Sequence, residues 1–117
     1  VPPYARTHEF TLTVPLGATE SPWVTKTQMA NALNVGIITP AALDAGNTHI
    51  EVSNDDETIK GLLMGGPGGA PANDDQVLLE ASQAKSIPFL LAFGKWRIKN
   101  PIAAVAARTF VVSIQTP

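Results

Sequence analysis

The chain has 117 residues, 10 Asp plus Glu against 8 Lys plus Arg, a net charge of −2, and no cysteine. A disulfide scaffold, a thiolate zinc site and a cysteine nucleophile are thereby excluded, and the acidic balance argues against a dedicated nucleic-acid binder. The length suits a single domain over 1–117, because folding a chain of this size buries roughly 65% of its surface, enough for one core.

Residues 1–7 open with Val1, Pro2, Pro3 and Tyr4, and the Pro pair predicts an extended N-terminal arm. Residues 8–14 alternate, with Phe10, Leu12 and Val14 on one face and Glu9, Thr11 and Thr13 on the other, so they predict a strand. A second strand is expected over 22–28, anchored by Trp23, and a more apolar central strand over 33–39. In 39–46, a Thr cap, a Pro at the first helical position and a terminal Gly predict one helical turn. Residues 48–53 alternate again, with Ile50 and Val52 inward and His49 and Glu51 outward. Asn54-Asp55-Asp56-Glu57 is a turn, and 58–64 resumes the sheet.

Residues 65–75, beginning Gly65, Gly66, Pro67, Gly68, Gly69, form the one long loop, and 76–80 returns as a strand. Residues 87–93 are apolar but interrupted by Pro88, so they predict an edge strand or an irregular buried segment. In 95–99, Trp96 and Ile98 face one way and Lys95, Arg97 and Lys99 the other. Residues 100–107 predict an Ala-rich connection with a short helix started by Pro101, and 108–115 the last strand. About eight short strands at roughly ten-residue spacing predict an all-β, antiparallel sandwich of jelly-roll or Greek-key type, in preference to a small barrel.

Candidate chemistry is sparse. His8 and His49 each read as the polar side of a strand, and as metal ligands they would need a third donor such as Glu9 or Glu51. No G-x-S-x-G elbow is present, so neither an enzyme nor a cofactor is expected. The acidic turn at 54–57 and the Asn73-Asp74-Asp75 cluster lack the ligand spacing of an EF-hand, and read first as hydrophilic turns. The glycine-rich loop lacks the G-K-[ST] ending of a phosphate loop. Lys95, Arg97 and Lys99 form a basic stripe, either a solvated face or a dock for an acidic protein surface. Trp23, Trp96 and Tyr4 would make a sugar-stacking platform if exposed, but the alternation places both tryptophans in the core. No apolar run approaches the ~18 residues of a membrane span and no signal peptide is read, so a membrane is not an expected partner.

A set of segments carries a resemblance: Leu33-Asn34-Val35-Gly36-Ile37-Ile38-Thr39-Pro40-Ala41-Ala42, Thr48-His49-Ile50-Glu51-Val52-Ser53-Asn54-Asp55-Asp56, Ile87-Pro88-Phe89, Trp96-Arg97-Ile98-Lys99, and Ala106-Ala107-Arg108-Thr109-Phe110-Val111-Val112. Their order, over residues 9–115, resembles small β-sandwich virion structural proteins of tailed bacteriophages. The Gly- and Pro-rich insertion at 65–75 departs from that pattern.

The resemblance implies a capsid decoration or cement protein, or part of a head spike or fibre. Its implied partner is the major capsid protein, and its implied location the capsid surface, after synthesis in the host cytoplasm. It implies no catalytic residues. A symmetric homo-oligomer is expected, a trimer on a local three-fold being one form it could take with the number left open, and the 15% charged fraction suits surfaces meant for neighbours. The arm at Val1, Pro2, Pro3 and Tyr4, the loop at Gly65, Gly66, Pro67, Gly68 and Gly69, and the stripe at Lys95, Arg97 and Lys99 are the candidate interface. The competing expectation is a glycan-binding sandwich, which requires an exposed aromatic pair.

Overall fold

The computed structural model describes residues 6–44, 48–63 and 77–117. Eight strands run β1 (Arg6–Val14), β2 (Asn34–Ile38), β3 (Thr48–Ser53), β4 (Lys60–Leu62), β5 (Leu78–Leu79), β6 (Ala84–Ser86), β7 (Lys95–Lys99) and β8 (Arg108–Thr116). All pairings between them are antiparallel. The first sheet has the order β1-β8-β2-β6. In the second, β3 pairs with β7 on one side and with β4 and β5 on the other.

The two sheets make a β-sandwich because their alternating apolar residues face each other. Leu12, Val14, Val35, Ile37, Phe110, Val112 and Ile114 come from the first sheet, and Ile50, Val52, Leu79, Trp96 and Ile98 from the second, all in one buried cluster. Trp96 and Phe110 are the largest fully buried side chains, and the Trp96 indole N–H donates to Met29 Sδ at 3.1 Å. A buried indole needs such a partner, since its donor is otherwise stranded away from water.

Several segments depart from their predicted form, each for a local reason. Residues 22–28 form no full strand. Only Glu20 and Val24 bridge to β7, opposite Lys99 and Trp96, so four steps on one side match three on the other. That extra residue is a bulge, which accommodates Pro22 and its missing donor. The buried anchor is Val24, whereas Trp23 is only half-buried. Beyond it the chain turns back, with Met29 N–H donating to Thr25 O and Asn31 at φ 59°.

No helical turn forms over 39–44. The Thr39 hydroxyl donates to Glu80 O and accepts from Gln83 N–H at 2.7 Å, while Thr39 N–H donates to Gln83 O, closing the segment onto 80–83. Residues 45–47 lie outside the described residues. In 100–107 the predicted helix is absent, because the backbone amides are used elsewhere. Asn100 N–H donates to Thr19 O, Ala104 N–H to Ala18 O and Val105 N–H to Asp44 Oδ1. Of the two forms predicted for 87–93, the irregular one is found: Pro88–Ala92 is a 3-10 helix that buries Leu90 after the buried Ile87. Strand β6 is unanticipated, being three mostly exposed residues held by pairing to Gly36–Ile38.

The outer side of β3 has one more peculiarity. Leu62 lies opposite Glu51 and Leu78 opposite His49, so two steps along β3 span sixteen along the neighbouring chain. Leu63 N–H donates to Ile50 O, and Val77 N–H donates to Leu63 O at 3.0 Å. The chain therefore leaves one continuous strand line after Leu63 and rejoins it at Val77.

Candidate functional site

The outer face of the second sheet holds the predicted basic stripe. Lys95, Arg97 and Lys99 alternate with Trp96 and Ile98 along β7, and register places Ser53, Glu51 and His49 of β3 beside them. Arg97 meets Glu51 Oε1 through Nε at 2.7 Å and Nη2 at 2.6 Å, and Glu20 Oε2 through Nη1 at 2.7 Å. Its guanidinium lies 4.0 Å from the Trp23 ring centroid, with Lys60 Nζ 5.9 Å from the same ring. Lys99 reaches Glu20 at 3.4 Å and Glu51 at 3.6 Å, and Lys95 reaches Glu57 at 3.6 Å. The Arg97 and Glu51 side chains are only 13% and 11% exposed.

Each cation of the stripe thus has a carboxylate of its own chain. Charge-assisted bonds to a planar guanidinium, stacked on an indole and partly screened from water, are among the stronger polar contacts a surface can make. The stripe is spent on its own sheet. The platform aromatics are likewise dispersed: Trp96 is 0% exposed, and Trp23 is occupied by Arg97. Tyr4 lies outside the described residues.

A second polar cluster sits between the sheets' connections. The Asp44 carboxylate accepts from Arg108 Nη2 at 2.9 Å, Val105 N–H at 3.1 Å and Asn100 Nδ2 at 2.9 Å. Asn100 Oδ1 in turn accepts from the Thr48 hydroxyl at 3.2 Å. The Arg108 hydrogen bond, then the Val105 amide, hold the Asp44 pKa below its ordinary value, against the opposing effect of burial. With every oxygen engaged by a structural donor, the cluster ties 39–44 to β8 and the 100–107 connection.

The acidic turn is similarly self-satisfied. Asp56 Oδ1 accepts from the Thr58 hydroxyl at 2.7 Å and from its amide at 3.2 Å, which lowers the Asp56 pKa. Asn54 bonds Thr58 and Ile59, Asp55 pairs with Lys26, and Glu57, at φ 64°, pairs with Lys95. Asn73-Asp74-Asp75 lies outside the described residues. No group of three or more His, Cys, Asp or Glu able to hold a metal occurs among the described residues.

The two histidines stand on different sheets. His49 faces outward, as predicted, and its Nδ1 is buried without a hydrogen-bond partner among the described residues, while desolvation lowers its pKa. His8 is placed differently from the prediction. It shares the inward parity of Phe10 and pairs with the buried Ile114, yet is exposed because β1 overruns the core at that end.

The outer face of the first sheet is of another kind. Four cross-strand rows run Thr7–Gln115–Asn34, Glu9–Ser113–Gly36–Ser86, Thr11–Val111–Ile38–Ala84 and Thr13–Thr109. Glu9 is the one charged side chain among them. The Thr13 and Thr109 hydroxyls bond across the ladder at 3.0 Å. Gly36 leaves a shallow open groove of about 440 Å³ between Asn34, Ile38, Ser86 and Ser113. Sequence reasoning missed this face because each strand contributes only two to four short residues, and the pattern exists only across the ladder. The alternation of Thr with apolar residues was its one visible signal.

The candidate interface arms at Val1, Pro2, Pro3 and Tyr4, and at Gly65, Gly66, Pro67, Gly68 and Gly69, lie outside the described residues. No protein-family model, curated protein or solved structure matches this chain.

Proposed function

We propose that this chain is a structural virion protein of a tailed phage, decorating or cementing the capsid by docking the outer face of its first sheet on the major capsid protein. The observation that carries the reading is the contrast between that flat, nearly uncharged face and the second sheet, whose charges are consumed internally. Protein docking surfaces of this kind are depleted of charge at their centre.

The strand pairing adds support from the fold. With residues 20–24 taken as a strand and β4 with β5 as one line, four antiparallel pairs join β1 to β8, 20–24 to β7, β2 to β6, and β3 to β4/β5. Counted in chain order these are 1:8, 2:7, 3:6 and 4:5. They are the rungs of one long hairpin ribbon wound into two sheets, 1-8-3-6 and 2-7-4-5. That order supports reading the sandwich as a jelly roll, an architecture that viral capsid domains share with lectins and cupins. Fold alone does not choose among them. Among the described residues the glycan-binding reading is left with one aromatic of its platform, Trp23, already stacked against Arg97.

The test is co-sedimentation with purified phage heads, using the intact chain and Ile38→Lys. Ile38 is 46% exposed within the groove, so a lysine there adds charge to the docking face without entering the core. The intact chain is expected to pellet with heads and the variant to stay in the supernatant. Absence of the chain from virions by mass spectrometry, or equal pelleting of both proteins, would overturn the proposal.

A further inference from the structure

Three of the four lateral sheet edges are shielded. The outer side of β7 is covered by the bulged 20–24 segment, the β4/β5 line is interrupted after Leu63, and β6 is three residues long. The fourth is not. β1 is nine residues long, ends its sheet, and among the described residues has β8 as its sole strand partner. Among the described residues no backbone group of 6–14 bonds outside that ladder. It carries no proline, no lysine and no bulge, three of the devices that normally keep a long edge from pairing with another chain, and its two charges, Arg6 and Glu9, are of opposite sign.

We infer that β1 pairs antiparallel with β1 of a second copy, about a two-fold axis passing through Phe10. The midpoint of Arg6–Val14 is Phe10, so this register engages the whole strand. Other two-fold registers shorten it, and the one centred on Glu9 sets two carboxylates face to face. In the Phe10 register Arg6 lies opposite the partner's Val14, Thr7 opposite Thr13, His8 opposite Leu12 and Glu9 opposite Thr11, with no like charges opposed. Phe10, half-buried at the rim of the core, meets its own copy, which closes apolar surface left open where β1 overruns the core. The result is an eight-stranded sheet that doubles the nearly uncharged outer face, and a dimer rather than a trimer as the symmetric form.

Because the chain has no cysteine, introduced thiols report the register cleanly. Opposed residues of an antiparallel pair have Cα atoms roughly 4.5–5.5 Å apart, within disulfide range. Thr7→Cys mixed with Thr13→Cys is expected to give a disulfide-linked dimer under mild oxidation. Either variant alone should remain unlinked, since like positions are then about 20 Å apart. Both sites lie on the outer face, so neither change disturbs the core. Light scattering should give twice the 12.3 kDa chain mass for the unaltered protein, and Phe10→Asp should return it to one while circular dichroism keeps the β signature. A monomeric unaltered protein, or cross-linking of Thr7→Cys with Thr11→Cys instead, overturns the inference. A monomer that still pellets with heads defeats the dimer alone, and a dimer that does not pellet defeats the decoration reading alone.

Discussion

The two outer faces of this sandwich use similar strands to opposite ends. On the second sheet, charged residues of β7 face charged residues of β3, and Glu20 and Trp23 from the bulged segment complete a network in which Arg97 is held on three sides. On the first sheet, Thr, Ser, Asn and Gln side chains span the ladder with a single carboxylate and a groove at Gly36. A charged surface is not thereby an interacting one. Where the chain supplies its own counter-ions, the face is part of the fold, and the face with few internal partners is the one proposed above to dock.

That comparison is breakable by substitution. Arg97→Ala removes three ion-pair contacts and the stack on Trp23, leaving the largely buried Glu51 only the longer contact to Lys99; the expected loss is about 3 kcal/mol in urea unfolding, as for a largely buried pair. A loss below ~1 kcal/mol would place the network among ordinary solvated surfaces. Gly94→Ala comes next. A Cβ there would meet the Asp55 carboxylate and lie 2.7 Å from the Asp55 amide, so about 1–3 kcal/mol of strain is expected in the same assay.

The first sheet should respond in the other direction. A Cβ at Gly36 would find only ordinary contacts, at 3.6 Å from Lys85 O and 3.8 Å from Ser113 Cβ. Gly36→Ala is therefore expected to stabilise by roughly 0.5 kcal/mol, through the unfolded state, while filling part of the groove and weakening attachment to heads. Ile38→Lys should leave folding within about 0.5 kcal/mol. A large folding cost at either position would mean that this face, too, is structural.

Acid should produce the shallowest change at first. His49 has a lowered pKa in the folded state, so the unfolded chain binds protons more readily and stability falls as pH drops through the ordinary histidine value of 6.5. Asp44 and Asp56 are also lowered. Their contributions are complete above the ordinary aspartate value of 3.8 and are lost as pH falls below it toward the folded values. All three act with the same sign. A urea midpoint that rises on acidification from neutrality contradicts the assignment, and His49→Gln should flatten the upper part of the slope.

Much of the ladder was legible before any coordinates. Phe10, Leu12 and Val14, Ile50 and Val52, Trp96 and Ile98, and Phe110, Val112 and Ile114 each alternate with polar residues, and period two is a local property of a strand. The failures fall where local preference meets a distant partner. Thr39-Pro40 has a helix start's chemistry, but Gln83 takes the Thr39 hydroxyl and Arg108 takes Asp44. Trp23 looked like an anchor because tryptophan is usually buried, yet the bulge at Pro22 turns Val24 inward and leaves Trp23 over Arg97.

The sequence by itself determined that the chain is an all-β domain without thiol chemistry, with which residues of each long strand face inward, and with the basic stripe on one side of β7. Only the tertiary structure decided that the stripe is neutralised, that four short rows join into a face with Glu9 as its one charge, and that β1 has an open edge among the described residues. The reason is physical. Facing is set by neighbours one and two residues away, whereas pairing register brings Arg97 to Glu51 and Thr13 to Thr109 across forty-six and ninety-six residues of chain.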